Sequence, residues 1–457
     1  MTKSATKDMT KGNPMKLILQ FCIPLFLGML FQQFYNMMDT VIVGKFLGVN
    51  ALAAVGATGS INFMIIGFCM GVCNGFAIPV AQQFGAGDYH ALRKYVANSA
   101  WLSIAFAGVM AAAVCMLCRQ ILLWMNTPKD IIDGAYNYIF VIFLGIPVIY
   151  LYNLLSGIIR SLGDSKSPLL FLIFSSVLNI VLDMVLILNF HMGVAGAAWA
   201  TVISQAISGV LCLVYMIKRF DILKMTRDEW RPDGKYAAVL CNMGIPMGLQ
   251  YSITAIGSVI LQTAVNTLGS LAVASVAAAV KISMFFCCPF DAMGSTMATY
   301  AGQNVGAGKL ERVSKGMKST CIMGLVYAVA ACVVLTLFGK TIALLFVDAS
   351  ETEILQNVSV FLIANSAFYF PLALVNIVRF TIQGLGFSRF AILAGVCEMV
   401  ARSLVGIGFV PMFGYIAACF ASPVAWIFAD LFLVPAYLYV MKKLYKRMEE
   451  TGTAVVS

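Results

Sequence analysis

Long apolar runs, each bounded by Gly, Pro or charged residues, follow one another along almost the whole chain. A helix needs roughly 20 apolar residues to cross the hydrocarbon core of a bilayer. On that basis the pattern predicts an all-α polytopic membrane protein with twelve transmembrane helices, at about 17–43, 52–82, 94–117, 132–157, 168–189, 194–217, 238–265, 272–302, 316–338, 353–382, 388–410 and 415–440.

The most polar interior segment, 218–235, separates the sixth crossing from the seventh. It predicts a domain order of N-terminal tail (1–16), six-helix bundle (17–217), linker (218–235), second six-helix bundle (236–440) and C-terminal tail (441–457). The halves also repeat in sequence. The offset is 222 residues between Pro24 and Pro246 and 221 residues between Gln82 and Gln303. Because six crossings is an even number, the two pseudo-symmetric bundles form a parallel repeat, and such transporters bind substrate between their halves.

The distribution of basic residues predicts the orientation in the membrane. With a cytoplasmic N-terminus, 24 of the 30 Lys and Arg residues fall in cytoplasmic segments, four fall in outside loops, and Lys281 and Arg402 fall within crossings. This bias predicts a multi-pass protein of the cell membrane with both termini in the cytoplasm. Arg379 is assigned to the cytoplasmic group in this count.

Composition excludes several other classes of protein. The chain is 61% hydrophobic and 11% charged, against about 25% charged for average soluble proteins. Its net charge of +10 lies in one set of loops, so no nucleic-acid partner is expected. Cys115 and Cys118 have the spacing of a metal-binding pair, but a second pair is missing, so no metal centre is expected there. The first apolar run is too long for a signal peptide and should stay as a membrane anchor.

Asp39 lies about two-thirds of the way along the first crossing. An ionisable group at membrane depth is costly unless it is paired or hydrated, which makes Asp39 a candidate functional residue. Gln32 and Asn36 precede it at helical spacing and are expected on the same face. Together with Gln205 on the sixth crossing, they are the expected supporting polar residues.

Three further polar residues of the first half fall at a depth similar to that of Asp39. At 1.5 Å per residue, Asp39 and Asp183 lie roughly 7 and 9 Å below one end of their helices, and Thr201 lies about 12 Å along its own. Asn179 precedes Asp183 by one turn. Carboxylate, amide and hydroxyl oxygens form the ligand set of a hard cation such as Na⁺, and two adjacent carboxyls can also bind a proton. The alternative interpretation is hydrogen bonding that joins the helices.

The second half lacks this pattern, because the repeat offset places Leu261 opposite Asp39, Arg402 opposite Asn179 and Gly406 opposite Asp183. Glu398 and Arg402, four residues apart, are expected to form an internal ion pair. Cation coupling therefore looks confined to the first half. The remaining polar candidates of the second half could face a central cavity; they are Gln250, Lys281, Asp291 and Asp430.

Several motifs make the chain similar to the multidrug and toxic compound extrusion (MATE) family. They are the Asp-Thr-x-x-x-Gly at Asp39–Gly44, AQQFGAGD from Ala81, GQNVGAG from Gly302, SLGDSKSP from Ser161, and Asn179-x-x-x-Asp183. The resemblance extends from about Pro14 to Lys446. It implies two six-helix bundles forming an outward-facing V. It also implies a cation site at Asp39, Asn179, Asp183 and Thr201. Some sodium-coupled members also have acidic residues on the seventh and tenth helices, where this chain has Gln250, Gln262 and Asn365.

These observations predict a secondary antiporter, and not an enzyme. It would export drugs or other small organic molecules, often cationic and amphipathic, in exchange for H⁺ or Na⁺, with no other cofactor. Membrane lipids are its expected surroundings, and the chain is expected to be a monomer. One alternative is a lipid-linked oligosaccharide flippase, which would need a cationic cavity for pyrophosphate. The other is an intramembrane aspartyl protease that uses Asp39 and Asp183.

Overall fold

The computed structural model describes residues 6–452, and this part of the chain is helical. The first half contains α1 (Pro14–Leu47), α2 (Val49–Ala57), α3 (Gly59–Ala86), α4 (Tyr89–Trp124), α5 (Ile132–Leu144), α6 (Ile146–Ser161), α7 (Lys166–Met184) and α8 (Gly193–Arg219). The second half contains α9 (Gly234–Asn266), α10 (Ser270–Gly306), α11 (Leu310–Ala343), α12 (Thr352–Ser366), α13 (Tyr369–Gly384), α14 (Arg389–Leu404), α15 (Val410–Phe413) and α16 (Tyr415–Thr451).

The predicted set of membrane-spanning helices agrees with this architecture. Within residues 6–452, ten helices are long and apolar enough to cross a bilayer, and the number is twelve if α5 with α6 and α12 with α13 each form one span. These two pairs bend by 46° and 50°. Pro147 and Pro371 lie just after the bends, and proline removes the backbone N–H that would continue the ladder of the preceding helix. The predicted crossing at 52–82 is interrupted at Thr58, between α2 and α3.

The described chain divides into two compact units. The first contains the residues up to Asp8 and Leu27–Gly248, and the second contains Met9–Phe26 and the residues from Leu249 onward. The division therefore falls inside α1 and α9. In the first unit α6 packs against α3, α4 and α8, and in the second unit α13 packs in the same way against α10, α11 and α16.

Backbone geometry repeats between the halves together with the sequence. Gly48 and Gly269 have φ of 87° and 96°, and Gly163 and Gly386 have φ of 90° and 98°. A five-residue π-helix follows α7 at Val185–Asn189, and another follows α14 at Val405–Phe409. Counted from these π-helices, Asp183 corresponds to Ser403 and Asn179 to Met399. The correspondences predicted from sequence, Gly406 and Arg402, are thus shifted by three residues, because α14 is shorter than α7 by that number.

Two glycine pairs bring α3 and the first part of α9 into backbone contact inside the first unit. A Cβ on Gly75 would lie 2.5 Å from the Cα of Gly244, and one on Gly71 would lie 2.6 Å from the carbonyl oxygen of Met247. Both helices carry the Gly-x-x-x-Gly spacing, which lets helices in membranes approach closely. No larger residue fits at these contacts without displacing a helix.

Candidate functional site

The candidate ion site lies in the first unit, where α1, α7 and α8 contribute one polar cluster. The carboxyl groups of Asp39 and Asp183 are close enough to share a hydrogen bond. Asn179 Nδ2 donates to Thr201 Oγ1 over 3.4 Å, and this hydroxyl donates to the carbonyl oxygen of Ala197. Asp183 is fully buried and Asn179 nearly so. The structure thus brings together the four predicted residues as two contacting pairs. Asp39 contacts Asp183, and Asn179 contacts Thr201.

A shared hydrogen bond between two carboxyl groups has a chemical requirement. Ionised carboxylates are acceptors only, so the bond between Asp39 and Asp183 forms only when one of them carries a proton. Two close negative charges in a buried site would otherwise repel each other strongly. The pair therefore needs a proton or a cation between its members.

Unpartnered oxygen atoms collect around this pair. Apart from the contact between the two carboxyls, these buried oxygens have no hydrogen-bond donor among residues 6–452: Asp39 Oδ1, both Oδ atoms of Asp183, Asn179 Oδ1 and Gln205 Oε1. Buried polar atoms are nearly always partnered, so a cluster of acceptors without donors is suited to binding a proton or a cation. Such oxygens are suitable ligands for a hard cation, and carboxylates are also suitable acceptors for protons.

Aromatic residues surround the cluster. The Tyr35 hydroxyl is within hydrogen-bonding reach of Gln32 and Gln205, and Tyr35 is close enough to Asp39 for electrostatic interaction. Tyr138, on α5, interacts electrostatically with both aspartates. Neither tyrosine is among the residues predicted from the sequence, although Tyr35 precedes Asp39 by one turn on the same helix. That spacing was the signal that could have identified it.

The supporting residues predicted on α1 are only partly assembled. Gln32 and Asp39 are half-buried, whereas Asn36 is exposed, and no hydrogen bond links its side chain to the described cluster. Positions i and i+4 differ by about 40° around a helix, which places Asn36 at the edge of the polar face. Asp39 is about 12 Å from the end of α1, and not the 7 Å expected, because α1 continues to Leu47.

The helix type changes directly after α7, as it does after α14. The π-helix Val185–Asn189 begins two residues after Asp183, and the amide of Phe190 donates to the carbonyl of Val185 over 3.2 Å. π-helical turns inside α-helices often occur at functional sites, because the extra residue widens the helix and redirects side chains. Here the change of helix type directly follows the buried aspartate.

The second unit holds a different polar cluster, centred on Arg379. Arg379 Nη1 donates to Glu398 Oε1 over 2.7 Å, and Arg402 Nη2 donates to Glu398 Oε2 over 3.2 Å. The predicted pair of Glu398 and Arg402 is confirmed. The assignment of Arg379 to a cytoplasmic loop is wrong, because Arg379 lies within α13 and is 8% exposed.

The other polar candidates of the second unit lie around or beyond this ion pair. Gln383 Nε2 lies 2.8 Å from Gln250 Oε1, and turning the Gln250 amide over brings its oxygen to 3.1 Å from Arg379 Nη1. Asp291 and Asp430 are both close enough to Arg379 for electrostatic interaction. Asp291 is exposed, and Lys281 is exposed on the same helix. Arg379 thus meets acids from three helices, whereas the acids of the first unit meet each other.

The cysteines give no indication of a metal centre. Cys115 and Cys118 are both free thiols. Among residues 6–452, no group of three or more His, Cys, Asp or Glu residues could hold a metal ion. The mixed carboxylate, amide and hydroxyl oxygens around Asp39 and Asp183 are a different kind of ligand set.

Comparison with known proteins gives matches over most of the chain. The MatE family model matches residues 24–185 and 246–407, once in each half. The chain is 31% identical to the probable multidrug resistance protein YpnP of Bacillus subtilis (strain 168), covering 81% of this chain and 82% of that protein. It is 27% identical to the probable multidrug resistance protein YoeA of the same organism, covering 76% of each. A crystal structure of MATE in complex with MaL6 has a similar fold, with a TM-score of 0.90 and 23% identity over 98% of this chain and all of that chain.

Proposed function

The chain belongs to the MatE family of multidrug efflux transporters, and on that premise we propose that it is an antiporter. It exports amphipathic organic compounds, often cationic, and takes up H⁺ or Na⁺ in exchange. It acts as a monomer in the cell membrane, with both termini in the cytoplasm, and the coupling ion is its only inorganic requirement. The multidrug names of YpnP and YoeA support this class of substrate.

The observation that carries the proposal is the pair of adjacent carboxyls, Asp39 and Asp183, with unpartnered buried oxygens around it. An export cycle needs a group that binds the coupling ion reversibly and changes the local charge when it does. Asp39 and Asp183 together gain one positive charge on binding either a proton or Na⁺. Asn179 and Thr201 supply the neutral oxygens that complete a cation shell.

The two candidate ions would use the cluster differently. A proton would reside on one carboxyl and be shared with the other, which satisfies few of the unpartnered acceptors. Sodium would collect several oxygens at once and draw Asn179 Oδ1 toward both carboxyls. The proposal therefore retains both ions and assigns the same four residues to each.

Coupling follows from differential affinity. An ion shifts a conformational equilibrium only if it binds one conformation more tightly than the other. Binding that neutralises the Asp39 and Asp183 pair removes a repulsion between the helices that carry them, and so favours the conformation in which these helices are close. An organic cation would compete for the same negative charge, which gives an exchange of one for the other.

Transport in inside-out membrane vesicles tests this proposal. Accumulation of a fluorescent organic cation is measured under a pH gradient and, separately, under a sodium gradient. Asp39→Asn and Asp183→Asn should each abolish gradient-driven accumulation while the protein remains folded. Asp130→Asn removes an exposed carboxylate outside the predicted spans and is the matched control. Undiminished accumulation by both Asp39→Asn and Asp183→Asn would refute the assigned site.

The flippase alternative needs cationic groups that are available to a pyrophosphate. Arg379 and Arg402 lie in the second unit, and each binds Glu398. Both guanidinium groups are thus engaged by a carboxylate, which favours the antiporter. Scrambling of a labelled lipid-linked oligosaccharide by purified protein in liposomes, unaffected by Asp39→Asn, would favour the flippase instead.

A further inference from the structure

The C-terminal end of α16 carries a basic groove that the transport cycle does not use. The groove has a volume of about 590 Å³. We define the C-terminal basic groove by its lining residues, Phe387, Tyr439, Lys442, Lys443, Leu444, Lys446, Arg447 and Glu450. Four of them are cationic and one is acidic, so the lining has a positive charge.

The groove lies where the apolar part of α16 ends. The helix is apolar from Tyr415 to Met441, apart from Asp430, and its basic residues begin at Lys442. Leu438 on the apolar side is 63% exposed, whereas Leu444 is fully buried beneath the basic residues. A groove at this level of a spanning helix lies at the interface between acyl chains and head groups.

One wall of the groove, formed by Phe387 and Tyr439, is backed by further aromatic rings. Phe390 lies 6.2 Å from Phe432 and 6.3 Å from Tyr439, measured between ring centroids, and it also contacts Phe387. Lys443 Nζ lies 5.5 Å from the centroid of the Phe387 ring, which holds this cation over an aromatic face. Aromatic rings are enriched at the level of the head groups because one side of each ring is apolar and the other tolerates water.

The remaining wall supplies exposed cations. Lys442, Lys443 and Lys446 are all exposed. The single acid, Glu450, lies 3.7 Å from Lys446, and both side chains are largely exposed, so this ion pair is weak. Among residues 6–452, no carboxylate forms an ion pair with Lys442 or Lys443, so an anion entering the groove would meet these two lysines.

We propose that the C-terminal basic groove binds the phosphate of an anionic phospholipid, with the glycerol and acyl chains lying along the aromatic wall and the exposed apolar face of α16. Basic clusters directly next to a membrane-spanning helix attract anionic lipids. A soluble phosphate would use the lysines but would gain nothing from Phe387, Phe390 and the exposed Leu438. The continuity of charged and apolar walls therefore favours a lipid over a free anion.

Binding to the purified full-length protein in detergent tests the proposal. Native mass spectrometry counts bound phosphatidylglycerol, with phosphatidylcholine as the zwitterionic comparison and inorganic phosphate as the soluble competitor. The triple variant Lys442→Gln, Lys443→Gln, Lys446→Gln should weaken phosphatidylglycerol binding by roughly 100-fold. Binding of phosphatidylcholine should be weak in both proteins.

A matched control removes the same number of charges elsewhere. Lys224, Arg227 and Arg231 are exposed in the linker between α8 and α9, and their replacement by Gln should leave phosphatidylglycerol binding unchanged. Phe387→Leu keeps all charges and should weaken phosphatidylglycerol binding several-fold, which provides a second test if the triple variant does not fold.

The proposal is overturned if the triple variant and Phe387→Leu both bind phosphatidylglycerol as the parent protein does. It is also overturned if the linker variant loses as much binding as the triple variant, because net charge alone would then explain the effect. Complete displacement of the lipid by inorganic phosphate at equal concentration would identify a soluble-anion site instead.

Discussion

Arg379 and Glu398 form a 2.7 Å ion pair between α13 and α14, and both side chains are buried. Glu398 also accepts from Arg402, so two guanidinium groups share one carboxylate. Charges buried in a membrane protein persist only where other charges or dipoles compensate them. Glu398 is therefore the residue on which the two arginines depend.

Removing this carboxylate should destabilise the second unit. Glu398→Gln leaves Arg379 and Arg402 without their shared counter-charge, and the loss of one partner from a buried ion pair costs about 3–5 kcal/mol. Arg402→Gln should cost less, because Arg379 still pairs with Glu398. Thermal unfolding of the purified protein, followed by intrinsic fluorescence, measures both variants. Equal melting temperatures for Glu398→Gln and the parent would contradict the structural role.

Sequence alone predicted part of this network, and the limit was set by distance along the chain. Glu398 and Arg402 are four residues apart on one helix, so helical geometry alone brings them together. Arg379 lies 19 residues before Glu398 on another helix, and only tertiary packing determines that contact. Its place near the end of an apolar run led to its assignment to a loop.

At the ion site, the depth of residues in the membrane predicted one contact and missed others. Matching depth correctly brought Asp39 together with Asp183, because helices that cross one bilayer place residues of equal depth side by side. Depth does not show which helices lie next to each other, so the contribution of Tyr138 from α5 was not predicted. Asn36 lies at the edge of the polar face because positions four residues apart differ by about 40° around a helix.

The contact between Asn179 and Thr201 should affect ion affinity. Thr201→Val keeps the shape of the side chain but removes the hydroxyl that accepts from Asn179. We expect the half-saturating concentration of the coupling ion to rise about tenfold, in line with the cost of losing a residue that orients an ion ligand. Thr201→Ser retains the hydroxyl and is the matched control. Transport in vesicles at a series of ion concentrations measures this value. Equal half-saturating concentrations for Thr201→Val and Thr201→Ser would argue against a role for the hydroxyl.

The backbone contact between α3 and α9 gives a steric prediction. Gly75→Ala places a Cβ against the Cα of Gly244, and overpacking of this kind costs about 1–3 kcal/mol. Gly108→Ala, on α4, meets no atom within 4 Å and should be neutral or slightly stabilising, since alanine favours helix. Melting temperatures of the two variants should move in opposite directions, or only that of Gly75→Ala should fall. A larger decrease for Gly108→Ala would contradict the packing described.

Glu229 connects the segment between α8 and α9 to the start of α4 through hydrogen bonds and an ion pair. It accepts hydrogen bonds from the Thr226 amide over 2.8 Å and from Arg93 Nε over 2.8 Å, and His90 Nδ1 lies 3.0 Å away. Burial alone would raise the pKa of Glu229, but these hydrogen bonds and the charge of Arg93 outweigh it and lower the pKa from 4.5 to about 2. A depressed pKa means that the attachment is fully present above the unfolded value and is lost as the pH falls from 4.5 toward 2.

Limited proteolysis measures this attachment. Arg227 is already exposed, so Glu229→Gln should loosen the backbone around it and accelerate tryptic cleavage after Arg227 several-fold at pH 7. Relative to an unstructured peptide substrate at the same pH, the parent protein should be cleaved equally slowly from pH 8 down to about pH 6, because Glu229 remains ionised throughout this range. Asp221→Asn breaks only an exposed ion pair with Lys224 and serves as the control. Cleavage of Glu229→Gln at the parent rate would show that other contacts hold the segment.

The π-helices Val185–Asn189 and Val405–Phe409 occupy equivalent places in the two halves, which indicates a common origin of the halves. Two copies of an uncommon helix type at equivalent places are most simply inherited from one ancestral half, before the two halves became parts of a single gene. The residues two positions before them, Asp183 and Ser403, differ, so the presence of a carboxylate in only one copy dates from the divergence of the copies. The widened turn is thus older than the division of labour between the halves, and introducing an acid at Ser403 would place a carboxylate on an ancestral framework that still exists.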